Sequence, residues 1–361
     1  SYCSKLKQFS AQNLQEAGKN CFSNCPLLSS ISCNLDSYKF TCIQNDEVVD
    51  KNCGCGECPI CYHEIELCLK RGRSGQLEED IIIDEKALDE VLKKYQVGIT
   101  VRQALDATEG QIINKCLILK EEYYELGALK KIKGFKSVLA LMLRHVSKSM
   151  FFNKQNLVTV IMPNVTGIVE GGFCRAGLQN CYFPELVLAG NSSFQQCQMK
   201  ELYEDDFPKL KQIGEQGFGG CQIAQVDLPS LVSVGKQSFS SCSKLKQFFA
   251  EKLKEVGENC FSNCPQLSSI SCDLEPNTFV CLGCKGCPSC TGKLLECLLN
   301  GKKLKLVRKL EKTWQLQLKI LANSCQLQKF KVHAIQKVEK MVNLVEQLQN
   351  QTEKVVEVGE M

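Results

Sequence analysis

The chain has 361 residues, is 44% hydrophobic and 23% charged, and carries a formal net charge of +4. That balance excludes wholesale disorder, and so small a charge, spread along the chain, leaves no nucleic-acid-binding footprint. No apolar run reaches the roughly 18 residues needed to span a membrane.

Cysteine is frequent, at 25 residues, which points to an oxidising compartment where disulfides persist. The inference weakens where cysteines fall at repeat positions, because a thiol also serves as a small core residue. The chain opens at Ser1 inside a repeat phrase and shows no signal peptide, as expected of a fragment or a processed chain.

In chain order, residues 1–39 read as one end of a repeat solenoid through Gly18, Phe22 and Cys25. Residues 40–71 form a Cys-rich module. Residues 72–135 are a helical or degenerate-repeat segment, in which Leu88, Val91 and Leu92 predict an amphipathic helix over Asp84–Tyr95. Residues 136–280 hold the clear solenoid and 281–300 a second Cys-rich module. Residues 301–361 are a mostly helical tail. There Val338, Met341, Val345, Leu348, Thr352 and Val355 alternate three and four apart, as in a short coiled coil or a helix packed on the solenoid end. The basic run Lys302, Lys303, Lys305, Arg308 and Lys309 reads as a solvated face.

The solenoid declares itself by fixed offsets. Phe173, Phe194, Phe218, Phe239 and Phe261 are spaced by 21, 24, 21 and 22 residues. Cys197, Cys221, Cys242 and Cys264 follow four of these by three residues. Pro163, Pro184, Pro208 and Pro229 precede four of them by ten, and Gly190, Gly214, Gly235 and Gly257 precede four by four. Before the proline stands a short alternating stretch, such as Leu157–Met162, that predicts a half-buried strand. Proline ends that strand because it lacks the amide donor. Leu231, Val234 and Phe239, at helical spacing, predict a short return turn or helix, and the glycine permits a tight turn or a close backbone approach. One such unit buries too little to hold itself, so the units must stack.

This phrase resembles the BspA-like leucine-rich-repeat family over residues 151–274, with Val169 departing at the glycine position and Lys154 at the cysteine position. The resemblance implies an α/β-repeat fold: a leucine-rich-repeat solenoid of short strands, with the Cys-rich modules and flanking helices added. It also implies an elongated surface or secreted protein used in adhesion and protein contacts, with no catalytic residues to carry over.

The segment Cys3–Cys68 recurs as Cys242–Cys297. Cys42, Cys55, Cys58, Cys61 and Cys68 match Cys281, Cys284, Cys287, Cys290 and Cys297. Short loops poor in apolar residues need cross-links, so disulfides are the first reading. Zinc is the second, since four thiolates suffice for a structural site, and an iron–sulfur site is a distant third, because the proline follows the wrong cysteine. Cys197, Cys221 and Cys242 read as buried core thiols. Three sequons, at Asn164, Asn191 and Asn350, accord with secretion.

Outward strand positions form a column on a solenoid face. The position two before Pro163, Pro184 and Pro229 gives Ile161, Tyr182 and Asp227; Tyr203 takes that place in the longer repeat before Pro208, and Phe249 follows in the next repeat, which lacks the proline. Aromatic residues in such a column predict anchors for a protein or cell-surface ligand, unless a loop or helix covers them. An enzyme is disfavoured. Only His63, His145 and His333 are present, none beside a repeated acid or nucleophile, and no phosphate loop or nucleophile elbow appears. Two alternatives are an intracellular scaffold with zinc-closed ends and a Cys-x-x-Cys thiol oxidoreductase.

Overall fold

The computed structural model describes residues 83–124, 127–284 and 286–323, together with Lys340 and parts of 6–35. The chain divides into two compact units, 1–302 and 303–361. The first Cys-rich module, with Cys42, Cys55, Cys58, Cys61 and Cys68, the tail seam, His63 and His333 lie outside the described residues.

Near the start, β1 (Gln8–Ala11) pairs in parallel with β2 (Ser30–Cys33), Gln8 opposite Ser30. Phe22, Cys25, Leu28 and Ile31 are buried there, and Phe9 meets Phe22 edge-on at 5.2 Å. Two helices follow. The predicted amphipathic helix is α1 (Glu85–Lys94), capped by the Asp84 carboxylate, and α2 (Val101–Asp106) opens on a Thr100–Gln103 capping box.

The stack proper begins with a hairpin of β3 (Ile112–Ile113) and β4 (Cys116–Leu119), turned by Asn114 and Lys115, both left-handed. Two consecutive residues at positive φ give the turn that matches strand twist. From β4 the chain coils through parallel rungs. The first ladder runs β3-β4-β5-β7-β9, with β5 at Ser137–Ala140, β7 at Thr159–Ile161 and β9 at Asn180–Tyr182. It resumes as β11-β13-β15-β17, at Glu201–Tyr203, Gln225–Asp227, Gln247–Phe249 and Ser269–Ser271.

The return segments between β5 and β17 contain no helix. Each holds a two-residue strand, and these pair in a second parallel ladder: β6 (His145–Val146), β8 (Gly167–Ile168), β10 (Leu188–Ala189), β12 (Gln212–Ile213), β14 (Ser233–Val234) and β16 (Glu255–Val256). The apolar spacing that looks helical is thus produced by a chain turning a corner. A third set of rungs crosses between turns around the phenylalanine, as Phe173 N–H donates to Ser193 O at 2.7 Å and Phe194 N–H to Gly217 O at 2.8 Å. The corner is made by left-handed residues two before and two after each phenylalanine: Ser149 and Asn153, Ser192 and Gln196, Gln237 and Ser241, Asn259 and Asn263.

The core is a spine. Phe151, Phe173, Phe194, Phe218, Phe239, Phe261 and Phe279 stack face to face at 4.9–6.2 Å. Phe183, Phe207 and Phe248 meet them edge-on, the geometry that ring quadrupoles favour. Beside the spine each repeat cysteine donates its thiol to the phenylalanine carbonyl one turn back. Cys197 reaches Phe173, Cys221 reaches Phe194, Cys242 reaches Phe218 and Cys264 reaches Phe239, all at 3.1–3.2 Å. Burial pushes these thiols well up, so they stay protonated and remain donors. Lys154, which departs from the cysteine pattern, fills the same role by sending its ammonium to the carbonyls of Leu129 and Ile132 at 3.1 and 2.9 Å. The recurring glycine serves close approach: a Cβ on Gly235 would lie 2.7 Å from the Glu215 amide nitrogen.

The far end of the ladder is covered. There the thiol of Cys297, in the first turns of α4 (Leu294–Asn323), donates to Leu267 O at 3.2 Å. Asn300 donates to Ser268 O, and Gly301 lies directly against Ile270 O. No helix among the described residues is long and apolar enough to cross a membrane.

Candidate partner-binding face

The outward side of the first ladder is where a partner would bind, and the structure divides it into a covered and an open part. In β4 and β5 nearly every residue is buried, on both sides of the strand. Ile118, Leu139, Leu141 and Ile161 face outward and pack under Leu88, Val91, Leu92, Val97, Ile99 and Ala104 of the α1–α2 segment. Ile161 is therefore only 1% exposed. The expectation that Ile161 belongs to an open column is corrected: two helices roof it.

The roof ends at a specific joint. The repeat between Phe194 and Phe218 is three residues longer than its neighbours, and the extra residues form the turn Glu204–Asp206. Phe183 N–H donates to Asp206 O there instead of to a strand partner, and the ladder breaks between β9 and β11. The Asp206 carboxylate accepts the Tyr95 hydroxyl and pairs with Lys94 at 3.1 Å, pinning the end of α1. Burial, then the hydrogen bond to Asp206, pushes the Tyr95 phenol far above its ordinary range, so it stays a donor. Tyr182 is half-buried with its ring 6.2 Å from that of Tyr95.

Beyond the joint the strands alternate cleanly. Glu201 and Tyr203 of β11 are exposed around buried Leu202, and Gln225 and Asp227 of β13 are half-buried around Val226. Tyr203 is 36% exposed, with Glu201, Glu204 and Asp205 open beside it. Phe249, by contrast, is 4% exposed, so it cannot serve as an open anchor. Of the five positions read from the sequence, Tyr203 is open, Tyr182 and Asp227 are partly open, and Ile161 and Phe249 are closed. The sequence reading missed Asp206, Tyr95 and Lys94, which bound the open area. The extra length of that one repeat was the available signal.

A second group of reactive side chains lies just past the spine. The sulfurs of Cys281, Cys284, Cys287 and Cys290 all fall within 4.8 Å of one another, with Cys284 and Cys290 3.9 Å apart. Cys281 leads into a bend at Gly283, whose φ is +101°, and Cys287 caps α3 (Pro288–Thr291), on which Cys290 rides. Asn263 N–H donates to Cys284 Sγ at 3.3 Å. Burial opposes ionisation of Cys284, but the amides of Asn263 and Gly286 and the neighbouring thiols outweigh it and bring its thiol down to about 6. The Cys281 bond lowers Cys290, whereas burial raises Cys281 and Cys287. Cys297 is not in this group. The described cysteines are all free thiols. His145 is buried, with Nε2 3.1 Å from the Thr166 hydroxyl and no catalytic grouping around it among the described residues.

Two stacked parallel ladders, a phenylalanine spine and short polar corners define a leucine-rich-repeat solenoid. The chain belongs to the BspA type leucine rich repeat family, whose model matches six copies across residues 1–49, 120–208 and 189–280, more than half its length. Among solved structures, it is similar to a leucine rich cell surface protein from Faecalibacterium prausnitzii A2-165, with 17% identity and a TM-score of 0.32 over 44% of this chain and 43% of that one. It is also similar to a leucine-rich repeat protein from Bacteroides ovatus ATCC 8483, with 18% identity and a TM-score of 0.32 over 49% and 57%. The chain thus spans about half the length of these proteins. No curated protein matches it.

Proposed function

We propose that this is a non-catalytic repeat protein of the cell surface or exterior that holds a protein partner on the open strand face around Tyr203 and Asp227. The observation that carries this reading is Tyr203, an exposed aromatic on a rigid strand, with acidic side chains beside it. A ring with a polar tip on a fixed backbone gives large contact area at little entropic cost. The acidic rim of Glu201, Glu204, Asp205 and Asp227 favours a partner with basic residues at its contact surface. The placement outside the cell rests on the family.

The test is saturable binding of the labelled chain to a panel of cultured cells, compared with Tyr203→Ala and Asp227→Lys. Binding should be sensitive to protease treatment of the cells. Each variant should weaken it at least tenfold, roughly 1.4 kcal/mol or more, with the chain still folded by circular dichroism. Equal affinity of wild type and both variants would refute the assignment of this face. The buried Phe249 and the packed Tyr182 are unsuitable probes, because their removal would loosen the solenoid as well.

A further inference from the structure

We propose that Cys281, Cys284, Cys287 and Cys290 form a tetrahedral four-thiolate site that takes one zinc ion and locks the end of the solenoid. Zinc–sulfur bonds of about 2.3 Å place the sulfurs of a regular tetrahedron about 3.8 Å apart. The 3.9 Å between Cys284 and Cys290, and the 4.8 Å limit on the whole set, fit one ion at the centre. A disulfide requires sulfurs at about 2.05 Å, and four sulfurs this close leave no room for a cubane cluster between them.

Donors reach the sulfurs from the surrounding backbone. Backbone amides donate to sulfur: Asn263 and Gly286 to Cys284, Cys290 to Cys287, and Cys284 to Cys281. Amide donors around sulfur offset the negative charge that four thiolates bring to a divalent ion. Cys290 is exposed and Cys281 and Cys284 are half-buried, which gives the ion a path in from solvent. On binding, each sulfur still protonated releases its proton to water as it takes the metal; no electron moves.

The placement gives the ion a task. Phe279, the last ring of the spine, lies two residues before Cys281 and stacks on Phe261 at 6.2 Å. Asn259 N–H donates to Val280 O, and Leu282 N–H donates to the Asn259 side chain, both at 2.8 Å. These bonds stitch the loop to the last corner. Fixing the four sulfurs therefore fixes the final layer of the core, which α4 covers in place of a further solenoid turn.

The full chain, isolated under reducing conditions, is analysed for bound metal beside the double variant Cys284→Ser/Cys290→Ser, with circular dichroism verifying that both are folded. The intact chain should hold one more zinc per molecule than the variant. Cobalt exchanged into the intact chain should give the intense visible bands of tetrahedral thiolate coordination, diminished in the variant. Equal zinc content, iron in place of zinc, or a disulfide mapped within the four in freshly isolated protein would overturn the proposal. A measurement on the wild type alone stands if the variant does not fold. Zinc should shield Cys284 and Cys290 from alkylation until a chelator is added, and labelling indifferent to the chelator would overturn it.

Discussion

At four corners of the stack a phenylalanine carbonyl receives a thiol from the next turn, and this small contact explains why cysteine recurs there. The position needs a side chain about the size of serine that is content in an apolar wall and can still donate weakly. Replacing Cys221 by alanine removes the donor to Phe194 O and leaves a small void, and should cost about 1–2 kcal/mol in urea unfolding. Titration carries a related signature. Burial pushes the Cys116 thiol from 9.0 up to about 12, and the spine thiols rise further in the same direction. A folded-state value above the unfolded one means the native chain keeps protons that the unfolded chain gives up. That stability is whole below pH 9 and is lost as pH climbs through the folded values. Unfolding midpoints should therefore fall between pH 8.5 and pH 10.5. A flat profile would show that the thiols are not buried as described. The left-handed corner residues make a separate prediction. Ser241 is exposed at φ +58°, so Ser241→Val should destabilise by about 1–2 kcal/mol while Ser241→Gly should not, as melting curves would show.

The strands and corners differ in how openly the sequence announces them. The phenylalanine spacing, the proline that ends each strand and the glycine before each corner are legible because each answers to one demanding environment. The second ladder is not, since strands of two residues are too short to display alternation. Nor are the left-handed positions, where serine, asparagine, glutamine, arginine and glycine all occur. The roof over β4–β7 did leave a sign. Cys116-Leu117-Ile118-Leu119 and Val138-Leu139-Ala140 are unbroken apolar runs, as expected of strands buried on both faces, whereas Glu201-Leu202-Tyr203 alternates. For the binding face, the strand register was readable but the identity of the cover was not, because it comes from α1 and α2, distant in sequence. The cysteine spacing similarly displayed four thiols without showing that they converge. The glycine row supplies the test at this scale. Gly235→Ala must push the Gly214–Glu215 backbone away and should cost about 1–3 kcal/mol or more, measured as a lowered melting temperature.

In the whole molecule, the covered and open halves of the strand face are separated by one long repeat, and Asp206 holds the cover in place. Asp206→Ala should leave the solenoid folded but release the end of α1. Limited proteolysis should then cut within residues 83–110 much sooner than in wild type, while the fragment carrying the spine resists. Unchanged cleavage would show that apolar packing alone secures the roof. The start of α4 covers the far edge of the ladder, which suppresses strand addition by other chains there.

The oversized repeat has one more effect. Rungs of nearly equal length invite a growing coil to slip by a whole turn and still satisfy most of its pairings. A single outsized rung, tied by Asp206 to a tyrosine more than a hundred residues earlier, spoils every slipped alignment, and so acts as the index mark by which the chain counts its own coils.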